Sequence, residues 1–314
     1  MYANTLAKGI TKSCISKNIR VSRFSTFLCL RKTAATNATS NTSPVEAKRP
    51  KTFSNYWIAG TLGLGVGALL YSYQTSNKLP EIKYFEINDQ INSFPSALRP
   101  PLYPLGTNYS LLGLGVRSVI VESFKVYGLG IYIADDDKKY VPMILNSFFL
   151  KKTFIDTDEN KTHKENVLAA LEDPVKSVIL ARNLLDGGVR MTAKFTPIKN
   201  TNLTFVREGI IKTIWNHPNA EENREVLEKG IDELRNAFNK KGSFLKDDDL
   251  LMELNSDGSL QMTYINCKHG DVYKMELVKE PAVGRFLFSQ YMSGPNPLSV
   301  PCKNEITKSL VDLV

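Results

Sequence analysis

The stretch VRSVIVESFKVYGLGIYIA, residues 116–134, decides how the rest of the chain is read. It is rich in β-branched and aromatic residues, the types that suit a pleated, half-buried surface. Gly128 and Gly130 interrupt it, so it reads as two strands, or as one strand strongly bent by bulges. Before it, Pro95, Pro100, Pro101 and Pro104 make residues 94–108 an irregular lead-in. After it, residues 141–150, 163–171 and 203–215 look helical, the second with Val167, Leu168 and Leu171 at helical spacing. Residues 221–240 read as a surface helix with Val226, Ile231, Leu234 and Phe238 on one side. Residues 250–253 and 260–265 flank Asn255-Ser-Asp-Gly258, a hairpin signal because Asp-Gly supplies the positive φ of a tight turn. Residues 272–278 extend that sheet, and 282–292 and 303–313 close the chain as helices. Strands dominate the middle and helices cluster around them, which predicts an α+β domain with a largely antiparallel sheet. Residues 79–314 suffice for one such domain with a sizeable core.

Charge is distributed unevenly. The whole chain is formally +8, but residues 1–51 hold ten basic residues and one acid, a balance of +9, so the remainder is about −1. The body therefore lacks the basic footprint of a nucleic-acid binder. Residues 1–51 are rich in Ser, Thr, Asn and Ala and nearly free of acids, the composition of a mitochondrial import presequence with its basic flank; a disordered basic tail is the alternative. No apolar run follows the first basic residues, as a secretory signal would require.

Residues 55–74 are the membrane candidate. From Thr52 to Asn77 no residue is charged, and WIAGTLGLGVGALLYSY, residues 57–73, has Tyr56 and Trp57 at one end and Tyr71 and Tyr73 at the other. Such aromatic belts mark membrane interfaces, and a span needs ~20 mainly apolar residues. Gly60, Gly63, Gly65 and Gly67 make a poor soluble helix, at ~1 kcal/mol each against alanine. In lipid, Gly63 and Gly67 suit close approach of two helices and hence a homodimer. A buried Gly-rich core segment is the other reading. Lys48, Arg49 and Lys51 precede the span, which places the N-terminus in the matrix and the main domain in the intermembrane space.

Chemical motifs are sparse. Gly113-x-Gly115 and Gly128-x-Gly130 lack the third glycine and the strand–turn–helix setting of a dinucleotide site. Asp135–Asp137 and Asp247–Asp249 lack calcium-loop spacing and read as solvated loops. Cys14 and Cys29 lie in the presequence; Cys267 and Cys302 form neither a zinc site nor a disulfide framework. His163, His217 and His269 show no paired metal spacing, and each reads either as a surface or locally bonded histidine or as a single axial ligand of a non-covalent haem. Arg117 stands out, because it interrupts the apolar run LLGLGVRSVIV. It is either an ion-paired or edge charge, or a guanidinium facing a cavity and able to hold a carboxylate, phenolate or propionate.

The run Gly113-x-Gly115-x-Arg117, followed by FKVYGLGIY at residues 124–132, resembles the signature of the chalcone isomerase fold. Residues 284–291, GRFLFSQY, resemble its C-terminal part. With the presequence and span, the chain resembles the fungal "altered inheritance of mitochondria" family of chalcone isomerase-domain proteins over residues 85–314 or so. The resemblance implies an open-faced β-sandwich, a large sheet packed on a helical layer with a ligand cleft between them, here behind one transmembrane helix. In plant chalcone isomerases an arginine, a threonine, a tyrosine, an asparagine and a C-terminal serine or threonine line that cleft. Arg117 matches the arginine and Ser289 the C-terminal hydroxyl, while Tyr127, Phe205 and Lys212 stand at the threonine, tyrosine and asparagine positions. Phenylalanine cannot donate the hydrogen bond that polarises a carbonyl. The resemblance therefore implies a binding protein at Arg117, Tyr127, Phe205 and Ser289, with haem b as ligand. A fatty acid, and an intramolecular lyase or isomerase acting on an enone or phenolic compound, are the alternatives.

Overall fold

A computed structural model describes residues 81–87, 89–118, 125–239 and 242–314. The presequence and the candidate span at 55–74 lie outside these residues; among the described residues no helix is long and apolar enough to cross a membrane.

The stretch 116–134 holds the last three residues of one long strand, β4 (Tyr109–Ser118), which begins seven residues before it, and the whole of a second, β5 (Lys125–Ala134). They pair antiparallel from Tyr109↔Ala134 to Ser118↔Lys125, with irregularities at Leu111/Gly113 and Arg117/Ser118. Ahead of them lie the short strands β1 (Tyr84–Phe85), β2 (Phe94–Pro95) and β3 (Ala97–Leu98). Beyond β5 come β6 (Met191–Pro197), the small pair β7 (Thr201–Asn202) and β8 (Ser243–Phe244), then β9 (Asp249–Leu254), β10 (Leu260–Asn266) and β11 (Asp271–Val278). Seven strands form one sheet in the order β11-β10-β9-β6-β5-β4-β3, antiparallel throughout. The β9–β10 hairpin turns at Asn255–Gly258 as its sequence demands. Gly258 has φ +87, and a Cβ there would stand 2.6 Å from Pro281 Cβ.

The helices are α1 (Val141–Ile144), α2 (Ser147–Lys152), α3 (His163–Glu172), α4 (Lys176–Asp186), α5 (Leu203–Trp215), α6 (Arg224–Ala237), α7 (Pro281–Met292) and α8 (Val300–Leu313). The single helix expected over 141–150 is two, broken at Leu145 because the Asn146 side chain caps a new start by accepting from Phe149 N at 2.9 Å. A second correction concerns 221–240, where a short 3-10 turn, Glu221–Asn223, precedes the helix and Ala237 ends it. Thr162 and Glu165 form a reciprocal capping box at the start of α3.

One face of the sheet carries the main core. Leu129, Ile131, Ile133, Phe195, Met252 and Met262 pack there against helix residues such as Leu184, Ile214, Leu234, Leu287 and Ile306. The opposite face is covered by the irregular lead-in: Leu98, Tyr103 and Tyr109 pack on Tyr132, Ala134 and Leu251, and Phe94 packs with Ile91 and Ile198. Gly113 and Gly115 are packing glycines. A Cβ on Gly115 would come within 2.5 Å of Ser299 Oγ and 2.8 Å of Cys302 N, so α8 lies directly on the β4 backbone only because side chains are absent there.

Candidate functional site

Arg117 and Tyr127 are directly opposed in the β4–β5 ladder, so their side chains leave the sheet on the same face, toward the helices. Arg117 is half-buried, and its Nη1 donates to the Leu298 carbonyl at 2.7 Å. Leu298 belongs to the connection from α7 to α8, which Ser299 also ties to the strand by donating to Val116 O at 3.0 Å. Among the described residues no carboxylate pairs with Arg117. Among the described residues the guanidinium sits beside a neutral carbonyl, without a counter-ion.

The Tyr127 ring packs 4.7 Å from Phe195, which lies 5.8 Å from Tyr291, and Tyr291 lies 5.5 Å from Phe288. This forms an aromatic wall running from the cation into the core. Burial pushes the Tyr127 phenol well above its ordinary range, and the Arg117 charge pulls it part of the way back. The Tyr291 phenol is pushed up in the same way, first by burial and then by Tyr127. Cys302, beneath Gly115, is a free buried thiol whose titration is pushed up by burial. Both phenols and the thiol are therefore neutral at physiological pH. Arg117 supplies the cation.

The other three residues at cleft positions are placed elsewhere. Phe205 is 68% exposed on the outside of α5, and Lys212 is exposed on the same helix. Ser289 is buried, but it belongs to a closed polar chain around His217. Asn219 N donates to His217 Nδ1 at 3.2 Å, which leaves Nε2 as the protonated nitrogen facing Ser289 Oγ at 3.1 Å. Ser289 Oγ meets Ser293 Oγ at 3.1 Å, and Ser293 donates to the Ser289 carbonyl at 2.7 Å. In that tautomer His217 cannot accept the Ser289 proton, so the pair is not an activated nucleophile. Phe286 stacks on the imidazole at 4.1 Å. Burial, helped by the Arg182 charge, pushes His217 down to about 4. The group lines a pocket of about 360 Å³ with Arg182, Asp186 and Arg285, which Arg117, Tyr127 and Phe205 do not reach.

His163 and His269 are separate again. His163 Nδ1 lies 2.9 Å from Asp156 Oδ2, and Ser147 and Asn166 bond the same carboxylate, beside a second pocket of about 560 Å³. Burial works against the Asp156 charge, and these bonds outweigh it, so the carboxyl titrates below its usual range. His269 is exposed at the β10–β11 turn. Among the described residues no group of three or more His, Cys, Asp or Glu side chains is arranged to hold a metal ion.

The acidic triplets are not solvated loops. Asp137 is buried and takes a two-pronged bond from Arg190, Nε at 2.8 Å and Nη2 at 2.7 Å. Asp248 accepts from Tyr264 Oη at 2.7 Å. Asp249 accepts from Lys194 Nζ and from Thr196 Oγ1, both at 2.6 Å. Lys194 also lies 4.4 Å from the centre of the Phe94 ring. This buried pair went unseen because β6, MTAKFTP, was not recognised as a strand. The alternation of Ala193, Phe195 and Pro197 with Lys194 and Thr196 was the available signal.

Comparison with known proteins agrees with this fold. A family model described as "Chalcone isomerase like" matches residues 107–307. A Kluyveromyces lactis protein named "Altered inheritance of mitochondria protein 18, mitochondrial" is 44% identical over 255 residues, 81% of each chain. Its Lachancea thermotolerans namesake is 46% identical over 229 residues, 73% of this chain and 75% of that one. In three dimensions the chain is similar to a crystal structure of an Arabidopsis thaliana fatty-acid binding protein, with TM-score 0.50 and 15% identity, covering 74% of this chain and 98% of the other.

Proposed function

This chain belongs to the chalcone isomerase-like family whose fungal members are named altered inheritance of mitochondria protein 18, and on that premise we propose that it binds an apolar ligand bearing a carboxylate, haem b foremost, without isomerase activity. One observation carries the reading: the half-buried Arg117, with no counter-ion among the described residues, beside the Tyr127–Phe195–Tyr291 aromatic wall. A half-buried cation whose described partner is a carbonyl gains from an anion, and a guanidinium grips a carboxylate through two parallel bonds. The wall suits an apolar body.

Haem b fits these donors at its carboxylate end, where Arg117 would hold a propionate. The three histidines are engaged or placed elsewhere: both ring nitrogens of His217 have partners, His163 faces Asp156, and His269 is exposed. The donor opposite Arg117 is the Tyr127 phenol, and tyrosine is a known haem ligand. When bound, haem would supply an iron centre, while the chain's own residues supply the carboxylate anchor, the phenol and the apolar wall. A fatty acid is the second candidate, supported by the similar fold of a fatty-acid binding protein. Isomerase chemistry is disfavoured because Phe205 faces outward without a hydroxyl and the Ser289 hydroxyl is used within the His217 chain.

We further propose that residues 1–51 direct import, that residues 55–74 anchor the protein in the mitochondrial inner membrane, with Gly63 and Gly67 available for a homodimer, and that the domain faces the intermembrane space. The first test is the absorption spectrum of the full chain purified from cells supplied with a haem precursor. A Soret band that survives purification, and is lost in Arg117→Ala, is expected. A colourless protein that also fails to shift added haemin overturns the haem reading, and native mass spectrometry for a co-purified fatty acid then tests the second candidate.

A further inference from the structure

We propose that the segment from Lys138 to Phe154 is a docking surface for an anionic lipid bilayer. It holds four lysines, Lys138, Lys139, Lys151 and Lys152, and no acidic residue, within a body that is about −1 with them and about −5 without them. Between them the segment displays large apolar side chains to solvent. Met143 is 65% exposed, Phe148 73% and Phe154 80%, and Tyr140 and Phe149 are exposed as well. The display does not come from loose packing, because Val141, Leu145 and Leu150 of the same segment, and Ile155 just after it, are fully or nearly buried.

Phe154 is the clearest case. It has φ 57, a left-handed conformation that bulky side chains rarely adopt, and it is held there by Phe154 N donating to Lys151 O at 3.2 Å and Ile155 N donating to Leu150 O at 2.9 Å. A strained backbone that aims a phenyl ring into water makes sense when the ring has somewhere apolar to go. Two of the lysines stand over these rings, Lys152 Nζ 4.1 Å from the centre of Phe148 and Lys139 Nζ 5.1 Å from Tyr140, while Lys138 pairs with Asp135 at 2.7 Å. Aromatic and aliphatic groups in the middle with cations beside them are what inserts into the headgroup and acyl boundary of an anionic bilayer. A nucleic acid would use the cations and leave Met143, Phe148 and Phe154 in water. The inference does not depend on the span at 55–74 or on the ligand of Arg117.

The test uses the full chain with Phe154→Trp, reconstituted into vesicles of phosphatidylcholine alone or mixed with phosphatidylglycerol, with and without brominated acyl chains. The parent protein, with Trp57 and Trp215, gives the background. The added tryptophan is expected to shift to the blue and lose about half its emission in brominated anionic vesicles, and to do so far less in neutral ones. Lys151→Gln with Lys152→Gln should abolish the difference. Phe148→Trp, read in parallel, covers the case in which the first variant fails to fold. Added emission that is unshifted and unquenched in anionic vesicles overturns the proposal, and so does equal quenching in neutral ones. A blue shift that appears without vesicles and grows with protein concentration also overturns it, in favour of self-association.

Discussion

Replacing Asp249 with alanine should be among the most damaging single changes in the sheet. Lys194 and Asp249 have side chains about 3% exposed and are joined at 2.6 Å, with Thr196 Oγ1 donating to the same carboxylate oxygen. Removing the carboxylate leaves an ammonium buried between β5 and β9, with only Thr196 Oγ1 at 2.9 Å and the Phe94 ring for company. Breaking a buried pair on one side costs about 3–5 kcal/mol, because the remaining charge is uncompensated. The Thr196 and Phe94 contacts soften this, so the lower end, about 3 kcal/mol, is expected. Set against a total stability of roughly 5–15 kcal/mol, that is a large fraction. Lys194→Met with Asp249→Leu removes both charges and should return to within about 1–2 kcal/mol of the parent. The assay is equilibrium unfolding in guanidinium followed by circular dichroism, for the parent, both single variants and the double. A loss below about 1 kcal/mol for Asp249→Ala, or costs that simply add in the double variant, would refute the reasoning.

Two further predictions follow from the same kind of argument. His217 titrates at about 4 in the fold against 6.5 for a free histidine, so the unfolded chain binds the extra proton first as pH falls. Its contribution is therefore fully present above pH ~6.5 and is lost as pH falls from there toward ~4, on the order of 3 kcal/mol in all; unfolding free energies across that range should show a steeper decline in the parent than in His217→Gln. Gly115→Ala should destabilise by about 1–3 kcal/mol by pushing α8 off β4, since the new Cβ would meet helix backbone at 2.8 Å. Because α8 follows the connection that bonds Arg117, thermal melts of this variant should fall together with ligand retention.

The parts of the fold legible in the sequence were those with a strong local pattern. Residues 203–215 have a clear helical period, and Asn202 accepts from Thr204 N to start that helix at its predicted residue. The β9–β10 hairpin was legible because its turn requires a glycine at positive φ. Of the longer elements, α4 and β6 were missed, and β6 was missed for a physical reason. A strand in the middle of the sheet is covered on both faces, and here the far face is filled by Lys194 and Thr196, which look solvent-facing until Asp249 is placed opposite them. The acidic triplets misled for the same reason, because pairing partners such as Arg190 lie about fifty residues away in the chain and no local spacing encodes them. Arg117 was legible as a cation in an apolar run, whereas its place opposite Tyr127 comes from the β4–β5 register, which no local spacing encodes. The bond of the Ser289 hydroxyl to His217 was not legible, because its position on α7 gives no sign of that partner.

The function proposed for this protein requires that Arg117 recognise a carboxylate. The most direct measurement is the affinity of the parent and of Arg117→Gln for haemin and for its dimethyl ester, which keeps the macrocycle and removes both charges. A charged hydrogen bond contributes about 1.5–3 kcal/mol, so the parent should prefer the free acid by roughly 10- to 100-fold, and Arg117→Gln should lose that preference. Equal affinity of the parent for acid and ester, or an unchanged preference in Arg117→Gln, would contradict the account.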